Sequence, residues 1–285
     1  MSQFSDKFIA YVDVLGFKSL VAAAEDGSGL GLPELVDLLT LLGKGTERAR
    51  FEQHGPMTCP HAPYVERNLD FRVTQISDCV IVSSETSPAG AINLVSHCWD
   101  AVIELLSKGI MCRGYIKRGK IYHIDGQVIG SGYQHAFAAE SQVSAFAREA
   151  SERGTPYVEV DPEVVQYIDS QPDACVKMMF GRMVKRDSES TVLFPFQRLH
   201  HSFIVAGGGH KFDPERERTS NRNLRAMIGK MKKRVLSFVD PDNASAVKKA
   251  AHYISALDAQ LQACDKTDEV IDTLSFPAGS AQLNR

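Results

Sequence analysis

Two aspartates stand inside apolar, strand-like runs, and they constrain this chain more than any other feature. Asp13 interrupts Phe8-Ile9-Ala10-Tyr11-Val12-Asp13-Val14-Leu15-Gly16-Phe17, and Asp78 interrupts Val73-Thr74-Gln75-Ile76-Ser77-Asp78-Cys79-Val80-Ile81-Val82. A carboxylate carried into a packed sheet loses hydration worth several kcal/mol, to order of magnitude, unless a cation or hydrogen-bond donors replace the water. Neither run contains a Lys or Arg, so the compensating partner has to come from elsewhere. One reading is a shared pair of divalent metal ions. The other is two strand-end aspartates that cap turns or face water, since Asp is a common turn former. Two such runs, with a glycine turn directly behind the first, favour the metal.

The remaining composition narrows the class. With 285 residues, 44% hydrophobic and 24% charged, the chain is long enough for a sizeable core, as one domain or as one domain with an appendage. A formal charge of -3 argues against a protein whose task is to wrap nucleic acid, because neutralising phosphates requires a basic face. The first apolar stretch is broken by Asp13 before it could serve as a signal segment or span a bilayer, so a soluble cytoplasmic protein without membrane contact is expected. Six cysteines are scattered without a CxxC pair and read as reduced thiols, mostly buried. His54, Cys59 and His61 are near one another in sequence, but they lack zinc-ligand spacing and a fourth ligand, and read as loop residues.

Patterning gives the order of elements. Lys7 to Val14 reads as a strand, Leu15-Gly16-Phe17 as a tight turn, and Lys18 to Ala24 as a short helix. Pro33 to about Arg50 has helical spacing, and a polar, proline-containing loop follows. Strands are expected at Leu69 to Gln75 and Cys79 to Ser84, with Ser77 and Asp78 at their junction. A helix from Ala89 to Leu106 has one broad apolar stripe suited to covering a sheet. Strands at Gly109 to Lys117, Lys120 to Ile124 and Val128-Ile129 come next, the last beyond an Asp125-Gly126 turn. Tyr133 to about Glu152 and Pro162 to Ile168 read as helices; Tyr157 to Val160, Val176 to Phe180 and Thr191 to Phe196 read as strands. That order predicts an α+β fold of the ferredoxin-like kind, a mixed or antiparallel sheet with helices mainly on one face.

The character changes after Gly207-Gly208-Gly209. Residues 1–206 are expected to form the main domain and 210–285 a helical C-terminal appendage, built from Glu215 to Val239 and Ala244 to Ala263. A basic run from Arg216 to Arg234 reads as a solvated helix face or a contact between copies of the chain. The residues after Pro277 are expected to fray.

Taken in order, these motifs resemble the class III nucleotide cyclases. Tyr11-Val12-Asp13-Val14-Leu15-Gly16-Phe17 is similar to their first metal motif, Ile76-Ser77-Asp78 to their second, and Arg113-Gly114-Tyr115-Ile116-Lys117-Arg118-Gly119 to the strand that follows. Within that group the chain looks most like the pyrimidine nucleotide cyclases of bacterial Pycsar anti-phage defence, which share the short DVLGF-style motif and a serine before the second aspartate. Ala136-Phe137-Ala138-Ala139-Glu140 resembles a further segment of those enzymes, although a helix-face salt bridge explains Glu140 better than a role in chemistry.

The resemblance implies a class III cyclase fold in which two ions, Mn²⁺ or Mg²⁺, are held by Asp13, Asp78 and the Val14 carbonyl. It also implies that Leu15, Gly16 and Phe17 offer backbone amides to the phosphates of a nucleoside triphosphate. Purine cyclases carry a base-reading lysine four residues before the second aspartate, where this chain has Thr74; a pyrimidine substrate is therefore expected, and only the frequency of UTP within the family it resembles puts UTP before CTP. Their helical asparagine and arginine have no clear counterpart, since Tyr133 to Arg148 contains no Asn and a single arginine, Arg148, that does not fall in register. Arg113, Lys117 and Arg118 are candidates for the missing charge, Arg113 first. A homodimer and a separate effector that responds to the cyclic nucleotide are implied as partners. The alternative from another class is an inactive cyclase-like domain that senses nucleotide without turnover.

Overall fold

The computed structural model describes residues 3–43, 47–56, 58–59, 61–124, 126–196 and 213–273. At its centre, β1 (Ser5–Val14) lies antiparallel to both β3 (Cys79–Glu85) and β4 (Cys112–Ile124). With β2 (Arg72–Ile76), β6 (Val158–Val160), β7 (Val184–Arg186) and β8 (Thr191–Leu193), the strand order is β2-β3-β1-β4-β6-β8-β7, and β5 (Gln127–Ile129) pairs with β4 alone. The β4–β6 pair is parallel, so the sheet is mixed. The first four strands have the ferredoxin-like order expected from the sequence.

Because β1 is central, both of its faces are covered, which explains why its sequence is apolar almost throughout. Phe8, Ala10, Val12 and Val14 join Val80 and Val82 in one core, beneath Ile92, Val95, Cys98 and Val102 of α4 (Pro88–Ser107). Helix α4 starts where Ser87 Oγ accepts the Gly90 N–H at 3.0 Å and Pro88 occupies the first turn. The alternate residues Ile9 and Tyr11 face the other way, with Ile81, Ile121 and Ala136. That second face carries α5 (Ser131–Glu140), so the helices are not confined to one face. Two glycines let α5 come this close: a Cβ on Gly132 would stand 2.4 Å from Ile9 Cδ1, and one on Gly119 would stand 2.8 Å from Gly132 Cα.

Several elements differ from the sequence reading. The helix expected from Pro33 to Arg50 is two helices, α2 (Leu32–Leu42), which ends at Gly43, and α3 (Glu47–His54). Helix α1 (Phe17–Glu25) falls where expected. Gly109 to Lys117 and Lys120 to Ile124 are one strand, β4, which runs through Gly119 because α5 needs that position free of a side chain. The helix expected to reach Glu152 stops at Glu140, whose buried carboxylate is held by Arg113. Val176 to Phe180 is not a strand but part of α7 (Ala174–Gly181), started by Asp173, whose Oδ1 accepts the Cys175 N–H at 2.8 Å. Helix α6 (Pro162–Asp169) precedes it. Gly207-Gly208-Gly209, Asp125 and the residues after Pro277 lie outside the described residues.

The two C-terminal helices, α8 (Pro214–Ser237) and α9 (Ala244–Thr273), share a core with the far end of the sheet. Ile228, Met231, Val235, Tyr253 and Leu257 pack with Tyr157, Val192, Phe194 and Phe196. The basic run of α8 meets an acidic stripe on α9: Arg218 bonds Asp272 at 2.6 Å, Arg225 bonds Asp265 and Asp268 at 2.7 Å each, and Lys232 bonds Asp258. These charges pair within the chain. Among the described residues, no helix is long and apolar enough to cross a membrane.

Candidate active site

The β2–β3 hairpin turns through Ser77 and Asp78, with Ser77 in the left-handed region at φ +53° and Ile76 paired to Cys79. The Asp78 carbonyl accepts the Val14 N–H at 3.0 Å. This one bond ties the hairpin to the end of β1 and brings the two aspartates of the sequence argument together. Across the sheet, Asp13 is flanked by Cys79 on β3 and Arg113 on β4.

Electrostatics at Asp13 reflect that placement. Burial raises its carboxyl from 3.8 to about 7, with the Asp78 and Glu140 charges adding to the rise and Arg113 and the Val14 N–H opposing it. The Arg113 guanidinium is itself committed elsewhere: Nε donates to Glu140 Oε1, and Nη1 donates to the Gly154 carbonyl at 3.3 Å. Gly154, at φ +70°, has no side chain because a Cβ would lie 2.4 Å from that Nη1. Asp13 and Asp78 thus bring two hard-oxygen donors into one another's field, beside a guanidinium already engaged by Glu140; a donor pair of this kind could hold a divalent cation.

The glycine turn behind β1 is present, with Gly16 at φ +78° before α1. Leu15, however, gives its N–H to the Met111 carbonyl at 2.9 Å. The backbone donors available for phosphate therefore narrow to Gly16 and Phe17. Of the other candidate cations, Arg118 pairs with Asp6 at 2.7 Å. Arg148 turns to α9, where it bonds the Ala251 carbonyl at 2.8 Å and Ser255 Oγ at 2.7 Å. Sequence reasoning missed Lys249. This α9 residue lies within the fields of both Arg113 and Glu140, and burial followed by the Arg113 charge lowers its pKa. No local pattern marks it, because it reaches the site only through the packing of α9.

Thr74 is half-buried on β2, with its Oγ1 2.9 Å from His123 Nε2; His123 Nδ1 is 2.8 Å from Ser83 Oγ. Burial and the Lys7 charge pull the His123 pKa down to about 4, so the ring is neutral and carries one N–H. Ser83 is fully buried. The assignment that leaves no buried donor unpaired has Ser83 donating to Nδ1 and Nε2–H donating to Thr74 Oγ1. The Thr74 hydroxyl proton is then free to bond a ligand. His123 carried no signal in sequence, being one of nine histidines on a strand far from β2.

No protein-family model matches the chain, and no curated protein matches it. Among solved structures, one that it resembles is the crystal structure of the catalytic core of a rhodopsin-guanylyl cyclase with converted specificity, in complex with ATPαS. The identity is 11%, the match covers 67% of this chain and 93% of that chain, and the TM-score is 0.34. A score that low leaves the residues themselves to carry the functional reading.

Proposed function

We propose that this chain is a nucleotide cyclase that converts UTP, with CTP as the lesser alternative, to its 3',5'-cyclic monophosphate and pyrophosphate. The observation that carries the reading is the meeting of Asp13 and Asp78, bound together through Val14, with the cross-strand Arg113 engaged by Glu140. Asp13, Asp78 and the Val14 carbonyl would hold two Mg²⁺ or Mn²⁺ ions. When bound, these lower the pKa of the ribose 3'-hydroxyl and offset charge on the departing pyrophosphate. Gly16 and Phe17 direct backbone N–H groups to the β- and γ-phosphates at the start of α1. Arg113, held in place by Glu140 and Gly154, supplies fixed positive charge beside Asp13.

Base choice follows from the direction of the Thr74–His123–Ser83 chain. A Thr74 hydroxyl that donates suits the O4 acceptor of uracil, whereas cytosine presents an amino donor at that place. Exposed Ile76 and Phe137, on the sheet face that carries Asp13, support a homodimer in which a second copy covers the nucleotide. Free cysteines fit a reducing cytoplasm. A diffusible cyclic pyrimidine nucleotide would act on a separate effector, as in anti-phage signalling.

The test is incubation of the purified protein with Mn²⁺ and each of the four ribonucleoside triphosphates, with products identified by mass. Cyclic UMP in one tube supports the reading. No product from any tube, with nucleotide still bound, would replace it with the sensor alternative.

A further inference from the structure

Away from the aspartate pair, a second group of ligating side chains assembles from segments distant in sequence. Cys59, in the loop after α3, meets Asp173 and Cys175 at the start of α7, and one ligand atom from each lies within 4.8 Å of the others. Around a tetrahedral zinc with Zn–S bonds of about 2.3 Å, neighbouring ligand atoms stand roughly 3.8 Å apart. The cluster is therefore nearly the size such an ion requires. His54 and His61, which accompany Cys59 in sequence, are not members of it.

The Asp173 carboxylate distinguishes this cluster from two thiols that happen to touch. Its Oδ1 caps α7, but Oδ2 is buried and has no hydrogen-bond partner. A buried carboxylate oxygen without a donor is costly, and a disulfide between the two cysteines would give it nothing to bind. A cation coordinated by both sulfurs and Oδ2 satisfies all three atoms at once. Arg182, whose charge acts on Cys175, turns its Nη2 to Met178 Sδ at 3.7 Å. Thiolates are soft ligands, and a site with two of them selects zinc over the hard ions suited to Asp13 and Asp78.

We infer that Cys59, Cys175 and Asp173 form a zinc site, with water in the fourth position, that pins the loop after α3 to α7. Metal binding exchanges the two thiol protons for the ion and involves no redox step. The site is separate from the proposed cyclase centre and does not depend on that assignment. Cys59 also packs against the main core, so the ion would fasten the outer layer of that core.

The experiment uses the full chain, purified under reductant without chelator. Metal is quantified by plasma mass spectrometry, and the stripped protein is titrated with Co²⁺. The expected results are about one zinc per chain and one cobalt taken up with thiolate charge-transfer absorption and intense tetrahedral d–d bands. Both should be lost in Cys59→Ser and Cys175→Ser and retained in Asp13→Asn. Should the serine variants fail to fold, protection of Cys59 and Cys175 from alkylation by added Zn²⁺ in the unaltered protein is read by peptide mass. Zinc content no higher than in the serine variants, cobalt spectra without thiolate bands, or absence of protection would each overturn the assignment. So would a Cys59–Cys175 disulfide under reductant.

Discussion

Asp13→Asn removes a charge that the metal-free fold holds at a disadvantage, so it should stabilise the apoprotein while abolishing the proposed cyclase activity. The carboxyl rises from 3.8 to about 7 on folding, and each tenfold in proton affinity is worth about 1.4 kcal/mol. The product is about 4 kcal/mol, an upper figure that screening at a half-buried position reduces to about 2 kcal/mol. The sign follows from proton counts. Between pH 3.8 and 7 the folded state binds more protons than the unfolded one, so this group's contribution to stability falls as pH rises through that window. Below it, Asp13 is neutral in both states and the two proteins should differ little. Urea unfolding at pH 4 and pH 8, each without and with Mn²⁺, reads all of this. The expected pattern is Asp13→Asn more stable by about 2 kcal/mol at pH 8 without metal, near equality at pH 4, and stabilisation by Mn²⁺ in the unaltered protein alone. A variant less stable at pH 8 in the absence of metal, or a difference that does not change with pH, would refute the reasoning.

Glu140→Ala should release Arg113 from its buried pair and lower stability by about 3 kcal/mol, and it should weaken Mn²⁺ binding as the freed guanidinium turns to Asp13; isothermal titration reads the affinity. Gly132→Val places a side chain against Ile9 and Gly119 and is expected to lower stability by about 1–3 kcal/mol in urea unfolding, with the effect confined to folding if α5 shifts as a body. His123→Phe removes the donor to Thr74 and lets that hydroxyl turn either way. The ratio of kcat/KM for UTP over CTP should fall several-fold, and an unchanged ratio would separate His123 from base choice.

What the sequence made legible was the part of the fold written in local order. The apolar run of β1, the Ser77-Asp78 turn, the apolar stripe of α4 and the glycine behind Asp13 are each decided by a few neighbouring residues, and each lies where patterning put it. Misreadings arose where tertiary contacts decide. Val176 to Phe180 is apolar enough for a strand, but Asp173 caps a helix there and the packing of Val176 and Phe180 in the core holds it. Gly119 looked like a break between strands, yet it is a point of contact with α5. The basic run of α8 reads in sequence as a solvated face or a contact between copies because its partners, Asp258, Asp265, Asp268 and Asp272, lie on a different helix. Cys59 and Cys175 are invisible as a pair for the same reason.

The cation missing from the sequence argument has a structural explanation. Arg113 stands directly across from Asp13 on the neighbouring strand, where an unencumbered guanidinium would pull the carboxyl below its ordinary range. Glu140 intercepts it from α5, and the Gly154 carbonyl holds it there. Burial, with the Asp78 and Glu140 charges adding to it, raises Asp13 to about 7, and an Arg113 engaged by Glu140 does not reverse that rise. For a carboxylate that served only the fold, that arrangement would be a defect, because a well-placed arginine is already at hand. For a metal ligand it is a requirement: an arginine bound to Asp13 would have to be displaced before an ion could enter. Glu140 thus preserves the unmet charge of Asp13, and Lys249, in the field of the Arg113–Glu140 pair, links that balance to the C-terminal helices.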